Sequence, residues 1–172
     1  METIYEASIS SSLGRITVRA SDQGIRQIAL GGQIASRQGK TSAVKASGRK
    51  TDGKQTSGAT WARKAAQELL EYAAGKRKEF TVPLDVDGTA FQKKVWQALR
   101  AIPYGETRSY GEIARQVGNP KAARAVGMAN HENPVAIVVP CHRVIASDGS
   151  LGGYAGGLQK KSRMLQLEKS HN

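Results

Sequence analysis

Strand-forming and helix-forming segments are segregated along this chain, and that separation limits the folds open to it. Strand signals fill the first thirty residues, and from Thr60 onward most apolar spacing is helical. Ile4 to Ile9, Arg15 to Ala20 and Ile25 to Leu30 read as a β-meander, with turns at Ser10 to Gly14 and Ser21-Asp22-Gln23-Gly24. Thr60 to Ala74 then puts Trp61, Ala65 and Leu69 on one helical face, and Gly75 is a natural stop. Phe80-Thr81-Val82-Pro83-Leu84 is expected to add a last strand. Together these predict a small α/β domain over residues 1–87.

Residues 88–172 are predicted to form a second, mostly helical domain. Thr89 is placed to cap a helix carrying Phe91, Val95 and Leu99, which Pro103-Tyr104-Gly105 ends. Short helices at Ser109 to Val117 and Lys121 to Asn130 flank the turn Gly118-Asn119-Pro120, a helix-turn-helix pattern. The second is small-faced around one arginine, Arg124. Small side chains suit close approach to a nucleic-acid groove, and equally suit close helix packing with Arg124 exposed. Val135 to Val139 reads as a buried strand or extended segment. After it come a turn at Ser147-Asp148-Gly149, a glycine-rich stretch from Gly152 to Gly157, and a last helix from Leu158 to Glu168.

The 172 residues carry a formal net charge of +12, which points to a polyanionic partner or to a solvated basic surface. Part of the excess lies in residues 31–58, where Arg37, Lys40, Lys45, Arg49, Lys50 and Lys54 face one acid, Asp52. That Gly-, Ser- and Lys-rich segment is expected to be an exposed, mobile loop. No apolar run approaches the roughly 18 residues of a membrane helix, and the acidic start lacks the pattern of a signal peptide. A cytoplasmic protein with no membrane contact is expected.

The single cysteine, Cys141, lies in Pro140-Cys141-His142-Arg143. A thiol becomes a strong nucleophile when a neighbour accepts its proton, and His142 is adjacent. In a strand adjacent side chains point to opposite faces, so their cooperation needs a turn or a bridging water. Pro140 suits an irregular backbone. Adjacency alone favours a plain buried cysteine over a nucleophile. With one cysteine and three histidines, a closed zinc site has too few ligands, so no metal is expected.

The segment Pro140-Cys141-His142-Arg143-Val144 resembles the active-site motif of the O6-alkylguanine-DNA alkyltransferases. The likeness extends, in the family's order and spacing, through Tyr104-Gly105-Glu106 to Ser109-Tyr110, Asn119 to Gly127, Asn133-Pro134, and Gly153-Tyr154 to Gly156-Gly157-Leu158. It covers roughly residues 89–168, while the first half is similar only in layout.

The resemblance implies a ribonuclease H-like N-terminal domain and a winged-helix-like C-terminal domain carrying the helix-turn-helix. It implies a monomer, without cofactor, that binds double-stranded DNA through the minor groove and flips a damaged guanine out of the stack. Cys141 would accept the alkyl group from O6, and by extension from O4-alkylthymine, irreversibly and once per molecule. His142, acting through a water, would take the thiol proton. Glu168 would polarise His142, and Asn133 would brace the active-site turn. Tyr110 would crowd the target phosphate and give a proton toward the base. Arg124 would fill the gap in the stack. Lys121, Asn119, Ser147 and the small face of Ala122, Ala123 and Gly127 would meet DNA. Val144, Tyr154, Ala155, Met128 and Asn130 would line the guanine pocket or its rim. Ala155 stands where some members have serine, and Met128, Asn130 and His131 also depart from familiar members. Two other readings differ in class. A non-catalytic lesion binder would lack the acceptor cysteine, and a thiol redox sensor would want a resolving cysteine.

Overall fold

The computed structural model describes residues 2–31, 57–172 and, for the backbone, 43–45. The chain divides into two compact units, Met1–Asp87 and Gly88–Asn172.

The first unit is a sheet covered by one helix. Strands β1 (Ile4–Ser11), β2 (Gly14–Ala20) and β3 (Ile25–Leu30) form the antiparallel meander the alternation predicts. Ile16, Val18, Ile25 and Ile28 turn inward, and helix α1 (Ser57–Ala73) buries Ala62, Ala65, Leu69 and Tyr72. Strand β4 (Ala43–Lys45) adds parallel to β1, giving the order β3-β2-β1-β4. Most of the expected loop at 31–58 lies outside the described residues. Within it, 43–45 are a strand and α1 already begins at Ser57.

The strand expected at Phe80–Leu84 does not form. Leu84 makes only a bridge to Ile25, through Ile25 N–H to Pro83 O at 2.8 Å and Asp85 N–H to Ile25 O at 2.9 Å. Pro83 has no N–H to give a ladder. The Thr81 N–H goes instead to the carboxylate of buried Glu68, at 3.0 Å.

The second unit holds α2 (Ala90–Arg100), α3 (Tyr110–Gln116), α4 (Ala123–His131) and α5 (Leu158–Ser170). Both α2 and α3 start with capping boxes, Thr89 with Gln92 and Ser109 with Glu112, each satisfying two otherwise orphaned N–H groups. Gly118 at φ +86° makes the left-handed turn between α3 and α4. Helix α4 starts two residues later than the sequence suggests, because the Ala122 N–H closes the preceding turn onto Asn119 O at 3.0 Å. Short strands β5 (Arg108–Ser109) and β6 (Val144–Ile145) pair in parallel beside the helices.

Val135–Val139 is buried at all but Ala136, as expected, but is neither strand nor extended. Ile137 has φ +72°, the one non-glycine in the left-handed region among the described residues. The Val138 and Val139 N–H groups close local turns onto Ala136 O and Val135 O, at 2.9 and 3.0 Å. A branched side chain disfavours this conformation, so surrounding packing must hold it.

Candidate active site

The tight turn ends at Pro140, and the chain then winds one turn of 3-10 helix, Cys141–Arg143. This winding removes the obstacle of adjacency, since successive side chains no longer alternate across a strand. Asn133 braces the approach. Its Oδ1 accepts from Val135 N–H at 3.0 Å, and its Nδ2 donates to Val139 O at 2.8 Å.

Cys141 is 5% exposed and His142 is fully buried. His142 Nε2 donates to Glu168 Oε2, which α5 carries in from the far end of the chain. The other oxygen, Oε1, accepts from Arg143 Nε at 2.5 Å and from the Gly105 N–H at 3.4 Å. Arg143 also donates to Ile102 O at 2.7 Å, and its guanidinium lies over the Tyr104 ring. Burial lowers the His142 pKa, outweighing the pull of Glu168, so the imidazole is neutral at rest. Burial pushes the Glu168 carboxyl up, but the His142 bond and the Arg143 charge outweigh it and hold Glu168 ionised.

Burial also pushes the Cys141 thiol above its ordinary value, against hydrogen bonds from Asn133 and Tyr154 and the charge of Lys161. The resting thiol is therefore protonated, and its activation requires a base. Tyr110, at the start of α3, lies close by. Burial and then the neighbouring Cys141 push its phenol up as well. A Cβ added at Gly152 would stand 2.9 Å from the Tyr110 hydroxyl, and one at Gly127 would stand 3.9 Å from the ring. Glycine at 152 thus lets the glycine-rich loop approach Tyr110 from one side, while α4 approaches from the other.

The structure thus gathers Cys141, His142, Glu168, Asn133, Tyr110 and Tyr154. The other expected site residues lie outside this cluster. Arg124, Lys121, Asn119 and Ser147 are exposed, Ala122 is buried, and Ala123 and Gly127 are half-buried. Met128, expected at the pocket, is 66% exposed on α4, in a hollow of about 440 Å³ with Arg124, Gly127, His131 and Glu132. Ala155 is exposed, and Val144 is buried. Asn130 is buried, with its amide on the Cys141 carbonyl at 3.2 Å.

Lys161 was not foreseen. It is fully buried, and its ammonium donates to Val144 O at 2.6 Å, to Gly153 O at 3.2 Å and to Leu151 O. These bonds hold the strand after the 3-10 turn and the glycine-rich loop together. A signal existed: Lys161, Met164 and Glu168 share one face of α5 at i, i+3 and i+7, so an inward Glu168 brings Lys161 inward too. Among the described residues, no group of three or more His, Cys, Asp or Glu could hold a metal, and no helix is long and apolar enough to cross a membrane.

A buried thiol next to a histidine–carboxylate pair, in a unit that carries a helix-turn-helix, marks the class: a nucleic-acid-binding domain with a cysteine at its centre. Comparison makes the class specific. Residues 90–170 match the family model for the DNA-binding domain of 6-O-methylguanine DNA methyltransferase, and residues 4–86 match its ribonuclease-like domain. The Mycobacterium tuberculosis OGT solved in complex with DNA is 42% identical, with TM-score 0.80, over 97% of this chain and 94% of that one. Methylated-DNA–protein-cysteine methyltransferases of Mycolicibacterium paratuberculosis and Methanosarcina acetivorans are 59% and 60% identical over 108 residues, which are 63% of this chain. The matched segments span 66% and 69% of those proteins, about two thirds of their length. The chain belongs to this family of DNA-repair methyltransferases.

Proposed function

We propose that this protein repairs DNA by moving the alkyl group of O6-alkylguanine onto Cys141, once per molecule. The observation that carries the reading is the Cys141–His142–Arg143 turn, with its histidine locked onto an ionised, buried Glu168. Neutral His142 takes the thiol proton, through a water, and Glu168 stabilises the imidazolium that results. The thiolate sulfur attacks the alkyl carbon, and the carbon–oxygen bond breaks. Tyr110 passes a proton toward the base so that guanine leaves neutral, a better leaving group than its anion. The product is a thioether, which nothing in the site can cleave, so one protein repairs one lesion.

The depth of Cys141 supports base flipping, since a base left in the stack does not reach a thiol that is 5% exposed. Exposed Arg124 on α4 enters the stack from the minor groove of duplex DNA and fills the gap. Lys121, Asn119 and Ser147 meet the backbone, and the small residues Ala123 and Gly127 let α4 approach it. Val144, Tyr154 and Ala155 border the extruded base. O4-alkylthymine, with its alkyl carbon in a similar place, is a second substrate. Reactive Cys141 needs a reducing compartment, the cytoplasm, where the protein acts as a monomer. The test is a duplex with one O6-methylguanine. Wild type yields one repaired guanine per protein, whereas Cys141→Ala binds the duplex and repairs none. Repair by Cys141→Ala would refute the assignment.

A further inference from the structure

Asn130 links two parts of the molecule that the proposed function uses separately. It lies in the last turn of α4, whose outer face carries Arg124 and Met128, yet its own side chain turns inward and is 5% exposed. Its Nδ2 donates to the backbone carbonyl of Cys141 at 3.2 Å. The preceding residue, Ala129, accepts from the Trp96 indole N–H at 2.9 Å, which fixes this turn of α4 on α2. The other side-chain amide at the turn, Asn133, reaches the backbone at Val139 and Val135, upstream of the cysteine, and meets Cys141 itself at the thiol and not at the carbonyl.

We propose that Asn130 is a positioning residue for alkyl transfer: it makes the placement of the Cys141 backbone follow the placement of the α4 helix. The inference rests on the reading that α4 meets DNA and Cys141 accepts the alkyl group.

The bond to the Cys141 carbonyl offsets part of the cost of burying the amide, but stability alone does not require an amide here, because the Val144 N–H also donates to that carbonyl. Among the described residues its Oδ1 is enclosed without a protein partner, and leucine at this position would bury more apolar surface with no polar oxygen to desolvate. What the amide supplies, and leucine does not, is a directional tie from α4 to the carbonyl of the attacking residue. Sub-ångström placement of a nucleophile strongly affects rate, whereas affinity for duplex depends on the outer face of α4.

The test compares wild type with Asn130→Leu and the isosteric Asn130→Asp. Affinity for unmodified duplex, the single-turnover rate from a bound O6-methylguanine duplex, and the pH dependence of Cys141 capture by iodoacetamide are measured for each. Asn130→Leu is expected to bind duplex within about twofold of wild type while transferring at least tenfold more slowly, the split that positioning predicts. Asn130→Asp sets a carboxylate against the turn. It is expected to slow transfer further and to move iodoacetamide capture to higher pH, because negative charge there opposes the thiolate that Lys161, Asn133 and Tyr154 favour. Wild-type transfer rates in both variants would overturn the proposal. So would a loss of duplex affinity equal to the loss in rate, which would mark Asn130 as a plain support of α4. If wild type itself takes no alkyl group, the functional reading fails, and not this tie alone.

Discussion

His142 and Glu168 form a closed pair: both side chains are at most 1% exposed, and Glu168 is held from its other side by Arg143. The carboxylate thus serves two buried donors at once. Glu168→Gln keeps the size and removes the charge. Transfer should slow by roughly 100-fold, within the range for losing general-base assistance. The unpaired Arg143 should also lower stability by about 3 kcal/mol. Single-turnover kinetics and urea titration measure the two effects. Unchanged rate with lowered stability would make the pair structural only.

The same pair sets an acid sensitivity. His142 has a lowered pKa when folded, so below its ordinary value of roughly 6.5 the unfolded chain takes up a proton that the folded protein refuses. Glu168 is also lowered, so its contribution is present above roughly 4.3 and is lost as pH falls through its folded value. The His142 shift alone makes stability drop as pH falls from 7 toward 4, and the Glu168 shift adds its own loss only below roughly 4.3. Melting temperature should fall over this range in wild type, and fall less in His142→Gln. An equal fall in both would contradict the assignment.

Lys161→Met should destabilise the second unit by about 3 kcal/mol, because the carbonyls of Val144, Leu151 and Gly153 lose one shared donor. It should also shift Cys141 capture by iodoacetamide to higher pH, since the ammonium charge lowers the thiol. Denaturant titration and pH-resolved capture separate the two.

Trp96→Phe keeps the ring and removes the donor to Ala129 O, so a loss of about 1 kcal/mol is expected. Hydrogen exchange should localise the loosening to α4. A loss spread evenly over the second unit would contradict this.

Much of this arrangement was legible in the residues. The alternation of Ile16 and Val18, the cap Thr89, and the turn at Gly118-Asn119-Pro120 are local signals, and each produced the expected element. What failed was decided by distant partners. Thr81 reads as strand until its N–H finds Glu68, and Val135–Val139 reads as extended until Ile137 takes a left-handed turn. Lys161 was invisible because lysine is ordinarily solvent-exposed, and only the helical phase it shares with Glu168 marks it as buried. Asn130 looked like pocket lining, and its bond to the Cys141 carbonyl depends on a packing of α4 that spacing does not encode.

The central claim is that Cys141 is a single-use alkyl acceptor. Intact-protein and peptide mass spectrometry after mixing with an equimolar O6-methylguanine duplex tests it most directly. The account predicts one added methyl group, on the peptide containing Cys141, and one repaired guanine per protein molecule. An unmodified Cys141 in repaired samples, or more repaired guanines than protein molecules, would contradict it.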